Sequence, residues 1–292
     1  MTLFGLLNVN KPAGVTSRRV VDQVKRLVKP AKVGHAGTLD PLATGVLVIG
    51  LGQATRLVEF VQQMPKHYRA TFRLGASSTT EDVEGDVTEL TNPPRPTREQ
   101  LEQAAAEWTG RVEQRPPAYS ALHVHGRRAY APARAGESVH LDARPAEIHK
   151  SEIAAYDYPM LELQVVCGSG TYVRSLGRDL AQSVGTAGVM VALERTAIGP
   201  FTIDSAVSVD ELNRDSVGPH LLSPVLAVCD QMPVCTVPPD DLRDLADGRT
   251  IRGVNCSAPT CAALDQAGTL VAILTHCADG TYRPTKYFPP GD

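Results

Sequence analysis

The chain has 292 residues, 42% hydrophobic and 21% charged, enough for one large domain plus a small one in an ordinary globular protein. No apolar run reaches 18 residues, and the N-terminus breaks at Asn8 and Asn10 with no basic stretch before its apolar residues. Neither a membrane span nor a signal peptide is expected, and the expected location is cytoplasmic. A net charge of −3 does not advertise a nucleic-acid binder, and six cysteines with no C-x-x-C pair predict reduced thiols and no metal site.

Residues 5–17, GLLNVNKPAGVTS, read as a strand, a turn at 11–14 and a helix start capped by Thr16 or Ser17. In that helix Val20, Val21, Val24, Leu27 and Val28 form one stripe, with Lys25, Arg26 and Lys29 outside it, until Pro30 stops it. Seven lysines and arginines but one acid, Asp22, lie between Lys11 and Lys32. Such a face can steer a polyanion or simply be solvated. GHAGTLDPLATG at 34–45 follows and runs into the strand-like VLVIGLG at 46–52. Its glycines permit a tight turn or close approach, and His35, Thr38 and Asp40 hang between them. Pro41 fixes its own φ and drives Asp40 out of the α region. A loop so fixed is a common place for chemistry, although Asp-Pro is also an ordinary turn initiator. An apolar helical segment is expected around 54–61.

HYRATFRLG at 67–75 alternates, with Tyr68, Ala70, Phe72 and Leu74 on one face of a strand. Residues 76–86 form an acidic loop, prolines at 93–96 make a linker, and Thr97 opens a helix that ends by Gly110. Residues 114–137 are rich in proline, arginine and histidine with Tyr119 and Tyr130. That composition suits phosphate contact and base stacking, or an ordinary surface loop. LELQVVC at 161–167 reads as a strand. GSGTYVRSLGRDLA at 168–181 reads as a glycine turn, a short strand TYVRS and a helix, with Arg174 at the junction. From about 234, six or so short apolar runs predict a small β-barrel or roll. GLGQAT is not a phosphate-binding loop, since no Gly-Lys-Ser/Thr follows.

KPAGVTS (11–17), GHAGTLDPLATGVLVIGLGQATR (34–56), HYRATFRLG (67–75), PPAYSALHVHGRRAY (116–130), GSGTYVRSLGRDLA (168–181) and LERTAIGPF (193–201) occur in one order. Together they resemble the successive motifs of the TruB-type tRNA pseudouridine-55 synthases, over about the first 210 residues. The C-terminal strands resemble the PUA-type RNA-binding domain that often follows. The resemblance implies an α+β fold: a pseudouridine-synthase-like mixed, largely antiparallel sheet with helices, plus a small C-terminal PUA-like β-barrel. The expected division is a catalytic domain at 1–232 and the PUA-like domain at 233–292.

The implied activity is isomerisation of a uridine in the tRNA T arm, by a monomer with no obligatory protein partner. By resemblance the invariant aspartate falls on Asp40, its arginine partner on Arg174, and the tyrosine that stacks on the target base on Tyr68. His35 corresponds to the histidine that helps hold the extruded nucleotide. Tyr172 is the motif tyrosine, Leu193 the uracil-pocket leucine, and Lys11 the lysine that supports the active-site loop or RNA. The basic, proline-rich loop 114–137 is expected to contact RNA, and Arg127 and Arg128, beside Gly126, are its expected phosphate ligands. The chain departs from the pattern at His123 (often lysine), Glu194 (often arginine) and Thr79 (often aspartate). His123 and Glu194 weaken the case for a given RNA affinity. Two rivals are a guide-RNA-dependent enzyme acting on ribosomal RNA and a tRNA-folding chaperone without catalysis.

Breaking N1–C1′ and joining C5 to C1′ moves no electron pair to an acceptor and no phosphate, so no nucleotide cofactor or metal is required. It does need an ionised carboxylate as nucleophile or base. An arginine within about 4–6 Å keeps such a carboxylate charged in a dry pocket. The target base must also leave its stack, and an aromatic platform offsets part of that cost.

Overall fold

The computed structural model describes residues 3–119, 123–124, 127–128 and 141–289. The first half runs β1 (Phe4–Lys11), α1 (Ser17–Leu27), β2 (Val33–His35), β3 (Thr44–Gly52), α2 (Val58–Gln63) and β4 (Lys66–Leu74). Then come the small strands β5 (Ala76–Ser78) and β6 (Val87–Glu89), α3 (Arg98–Glu107), β7 (Gly110–Gln114), and the short pair β8 (His123–Val124) and β9 (Arg127–Arg128). The second half holds β10 (Arg144–Asp157), β11 (Met160–Cys167), α4 (Val173–Ser183), β12 (Gly188–Ile198), β13 (Phe201–Thr202) and β14 (Val207–Ser208). The chain closes with β15 (Val234–Thr236), α5 (Pro239–Ala246), β16 (Thr260–Leu264), β17 (Leu270–His276) and β18 (Tyr282–Tyr287).

Among the described residues the frame is a mixed, largely antiparallel sheet ordered β14-β1-β3-β12-β4-β11-β10-β7. Its decisive irregularity is at the centre. β3 and β12 run parallel and touch over only Glu194–Thr44 and Arg195–Gly45, then splay apart. Gly45 sits there at φ +100°, where a Cβ would overlap the Arg195 backbone, so only glycine lets the two strands meet. The GHAGTLDPLATG loop leads directly into that crossing.

β3 is apolar from Val46 to Leu51, and β1 is buried from Gly5 to Val9 with Asn8 as its polar interruption, because both faces are covered. Leu7, Val9, Leu47 and Ile49 pack under Val20, Val21 and Val24 of α1. Leu6, Val46 and Val48 face the other way, toward Ala54, Leu57 and Val61. In the other half, Ala70, Phe72 and Leu74 of β4 join Leu161, Leu163 and Met190 beneath α3 and α4, as the alternation predicts. Helix α4 lies flush on β4 because Gly177 faces Phe72, where a Cβ would overlap the ring. The predicted helix starts hold: Thr16 caps α1, and Thr97 with Gln100 forms a capping box on α3.

Two expectations are corrected. TYVRS is not a strand: Tyr172 is the N-cap of α4, and Arg174 lies in its first turn. The reason is that Gln114 takes both the N–H and the C=O of Tyr172 (2.8 and 3.0 Å), leaving no backbone groups there for a ladder. Among the described residues the C-terminal strands do not form a closed barrel. They make an open four-stranded sheet, β15-β16-β17-β18. GRTIRG contributes only an isolated bridge, Ile251–Tyr282, since Arg249, Arg252 and Gly253 are exposed and offer no second apolar face. One face of this sheet packs outward instead of rolling onto itself. Ala262, Leu270, Ile273 and Phe288 share a core with Leu6, Val46 and Leu57, and Phe288 stacks on Phe4 with ring centroids 5.1 Å apart. Arg56 donates to the Tyr287 carbonyl (2.6 Å) and Lys286 pairs with Glu59 (2.6 Å) across the same seam.

Candidate active site

The loop carrying Asp40 is fastened from below before any partner reaches it from above. Lys11, at the end of β1, is buried and donates to the carbonyls of Pro12 (2.8 Å), Val15 (2.7 Å) and Pro41 (3.3 Å). The Gly14 N–H adds a bond to the Pro41 carbonyl (2.8 Å). Ser17, in the first turn of α1, accepts from the Leu39 N–H (2.8 Å) and donates to the Leu39 carbonyl (3.0 Å). The residues on both sides of Asp40 are thus tied to the turn that starts α1. Burial pulls the Lys11 ammonium down to about 8, with the Asp40 carboxylate opposing the shift. Lys11 is a strut of this loop and is not part of the cavity wall.

From above, Arg174 meets Asp40. Its Nε lies 3.0 Å from Asp40 Oδ2, and the arginine side chain is 6% exposed against 38% for the aspartate. The cation is therefore a fixed wall group and the carboxylate is the reachable one. Arg174 is itself held on its other side. Nη1 donates to Asp82 Oδ2 (3.1 Å) and the Thr80 carbonyl (2.8 Å), and Nη2 donates to the Tyr119 carbonyl (3.1 Å). Asp82 is buried and also takes the Glu84 N–H (3.0 Å). The 76–86 segment is pinned further by Glu81, which accepts from Ser175 (2.9 Å) and pairs with Arg178. Burial raises the Glu81 pKa, and Arg178 offsets part of that rise. Glu81 adopts φ +65°, a strained conformation for a non-glycine residue, held by these two side-chain contacts.

Beneath this bridge opens a cavity of about 280 Å³. Asp40 and Arg174 form its charged rim, and Tyr68, Tyr172 and Leu193 line its wall. Tyr68 is half-buried, and burial raises its phenol pKa, with the Arg195 guanidinium offsetting part of the shift. The phenol is therefore protonated at neutral pH. Arg195 also lines the cavity and is buried, donating to the Val46 carbonyl (2.7 Å) and the Gly37 carbonyl (3.1 Å). It fixes the glycine loop to the β3–β12 crossing. Lys66 completes the base of the cavity, and burial draws its ammonium down to about 8. A cavity with one reachable carboxylate, fixed cations and the rings of Tyr68 and Tyr172 in its wall suits a neutral heterocycle attached to a sugar.

Residues 25–173 match the family model described as TruB family pseudouridylate synthase (N terminal domain). The chain is 39% identical to tRNA pseudouridine synthase B of Arthrobacter sp. (strain FB24), over 99% of this chain and 98% of that one. It is 43% identical to tRNA pseudouridine synthase B of Caulobacter sp. (strain K31), over 85% of this chain and 81% of that one. The chain belongs to the TruB family. The fold of a solved Cbf5-Nop10-Gar1 complex is also similar, with a TM-score of 0.74 at 22% identity, covering 98% of this chain and 85% of that chain.

Of the TruB-family residues expected from the sequence, Asp40, Tyr68, Tyr172, Arg174 and Leu193 meet around one cavity. His35 does not line it; it ends β2, paired with Ile49, and burial lowers its pKa. Arg127 and Arg128 pair with Val124 and His123 in a short hairpin, and the rest of 120–140 lies outside the described residues. Of the departures, Glu194 points away from Leu193 and Arg195 and pairs with Arg69 (3.7 Å), whereas Thr79 accepts from the Asp86 N–H (3.3 Å). Three site residues of this TruB-family chain escape a linear reading: Asp82, Lys66 and Arg195. Arg195 and Lys66 carry a faint signal, since strand alternation puts them on the faces of Leu193 and Tyr68. Asp82 carries none, because one acid in an acidic loop reads as solvated.

Proposed function

We propose that this chain is a tRNA pseudouridine synthase that isomerises uridine-55 in the T arm. The observation that carries the reading is the reachable Asp40 carboxylate, clamped by the buried Arg174 at the rim of a cavity lined by Tyr68 and Leu193. The relatives named tRNA pseudouridine synthase B supply the substrate class. The flipped base enters the cavity and stacks on Tyr68, while Leu193 limits its thickness. Asp40 supplies the anion for N1–C1′ cleavage, as nucleophile or as base, and the cavity keeps the freed uracil beside the sugar until C5 bonds to C1′, C5 giving up its proton and N1 regaining one. Isomerisation leaves the atom count unchanged and consumes no co-substrate.

In this reading residues 233–292 form a PUA-like unit that adds RNA affinity, and the loop 114–137 grips the T-arm backbone. The enzyme works as a monomer in the cytoplasm, without an obligatory protein partner. The test is incubation of unmodified tRNA with the pure protein and no guide RNA, followed by mapping of pseudouridine. One modified nucleotide at position 55 is expected. Refolding of tRNA without any pseudouridine would leave only the chaperone reading.

A further inference from the structure

Helix α1 carries a band of charge that the cavity does not use. Arg18, Arg19, Lys25, Arg26, Lys29 and Lys32 are all exposed. At 100° per residue Arg18, Arg19, Lys25 and Arg26 of α1 fall within about a third of the helix circumference, opposite the buried Val20, Val21 and Val24, and Lys29 and Lys32 follow the helix. The one acid on that face, Asp22, is already bound by Arg18 (2.9 Å), and Arg26 donates to its carbonyl (3.2 Å). The 22 residues from Lys11 to Lys32 hold seven of the chain's 29 cations and one of its 32 acids. The remainder therefore has 22 cations against 31 acids, so the band is a positive island on an acidic protein.

Its position relative to the cleft gives it meaning. The first turn of α1 is bonded to Leu39, next to Asp40, and Arg18 lies within electrostatic reach of His35. The other end of the band, Lys32, leads straight into β2 and the same glycine loop. Helix α1 packs on β1 and β3, on the Leu39 side of the Asp40 loop, whereas residues 115–119 run from β7 to the opposite, Arg174 side, where the Tyr119 carbonyl accepts from Arg174 (3.1 Å). The cavity, lined from β4 and β12 and the loop before β3, lies between them. An RNA that places one nucleotide in the cavity has backbone running off on both sides, and a single basic segment beyond β7 can hold only one of them.

Resting on the tRNA reading above, we propose that the outer face of α1 is a second phosphate-binding surface. It takes the substrate's backbone on the side of the target nucleotide away from 114–137. A membrane is the poorer partner, because the apolar face of α1 is already used by the core. The band should act through counterion release, contributing affinity and register and no chemistry.

The test replaces the cations in two independent pairs, Arg19→Gln with Lys25→Gln and Lys29→Gln with Lys32→Gln, and then all four. None of these four touches the cavity, and glutamine keeps helix propensity. Binding of full-length tRNA is measured across salt concentrations, with thermal melts as a check on folding. Each pair should flatten the log–log salt slope by about 1–2 units, at roughly 0.7–0.9 per lost phosphate contact. All four together should raise KM at least tenfold, with kcat at saturating tRNA within twofold of wild type. Unchanged slope and KM in a folded quadruple variant would overturn the proposal. So would loss of anionic-vesicle binding with tRNA binding intact. Failure of the wild-type protein to form pseudouridine is a separate outcome and sinks the tRNA reading instead.

Discussion

Arg174 and Asp82 are 92 residues apart in the chain and meet at 3.1 Å, both nearly excluded from water. The same guanidinium reaches Asp40 at 3.0 Å, so one cation is shared by a reachable and an unreachable carboxylate. Asp82 thus neutralises and orients the group that orients Asp40. Asp82→Ala should destabilise the fold by about 3–5 kcal/mol, because it leaves a buried charge without its partner. Asp82→Asn keeps the acceptor oxygen and should fold, with kcat about tenfold lower and KM little changed. Denaturant titration of the first and steady-state kinetics of the second check the pair.

Arg174→Lys is expected to be no conservative change. Lysine cannot hold Asp40, Asp82 and the Tyr119 carbonyl in one planar fork. Loss of on the order of 3 kcal/mol of positioning corresponds to about a hundredfold in kcat. Asp40→Asn should abolish turnover altogether while tRNA binding stays within a few-fold, since the amide keeps the shape and lacks the charge. Turnover by Asp40→Asn within tenfold of wild type would remove Asp40 from the chemistry.

Gly45→Ala strikes the β3–β12 crossing. The new Cβ meets the Arg195 backbone, and φ +100° is unfavourable for alanine. A loss of ~3 kcal/mol or more is expected from the clash and the backbone strain together. Gly170→Ala, at φ +84° but with open space around it, should cost only the conformational part. Comparing the two by chemical denaturation separates close approach from backbone conformation.

Lys66 makes stability depend on pH in a stated direction. Burial places its folded-state pKa near 8, below the ordinary 10.5, so between those values the unfolded chain binds more protons. Stability attributable to Lys66 is fully present above about 10.5 and is lost as pH falls through 8. Lys66→Met should therefore gain over wild type at pH 7, and the gap between the two should close toward pH 10. Melting curves at pH 7, 8.5 and 10 read this directly; a constant gap would show that the ammonium is not penalised.

Arg127→Ala with Arg128→Ala should weaken tRNA binding and flatten its salt slope by roughly one to two units, with kcat at saturation nearly unchanged. Full retention of affinity and slope would make the loop 114–137 structural.

The sequence by itself determined the elements whose causes are local. Thr97 and Gln100 specify the start of α3, the alternation from Tyr68 to Leu74 sets the inward face of β4, and Gly34, Gly37, Pro41 and Gly45 shape the Asp40 loop. The ordered motifs also mark Asp40, Tyr68, Arg174 and Leu193 in the sequence itself. Only the tertiary structure decided the matters that rest on long-range proximity. It turned Asp82 from one acid in a solvated-looking loop into a buried partner of Arg174, and made Lys11 a strut beneath the site rather than part of its wall. It also opened the expected C-terminal barrel, by giving Ala262, Ile273 and Phe288 a better apolar surface on Phe4 and Leu57 than they could give one another. Hydrophobic periodicity records that a face will be buried, but carries no information about what will bury it. An ionic side chain in a linear sequence likewise shows its charge and not the desolvation that decides its role.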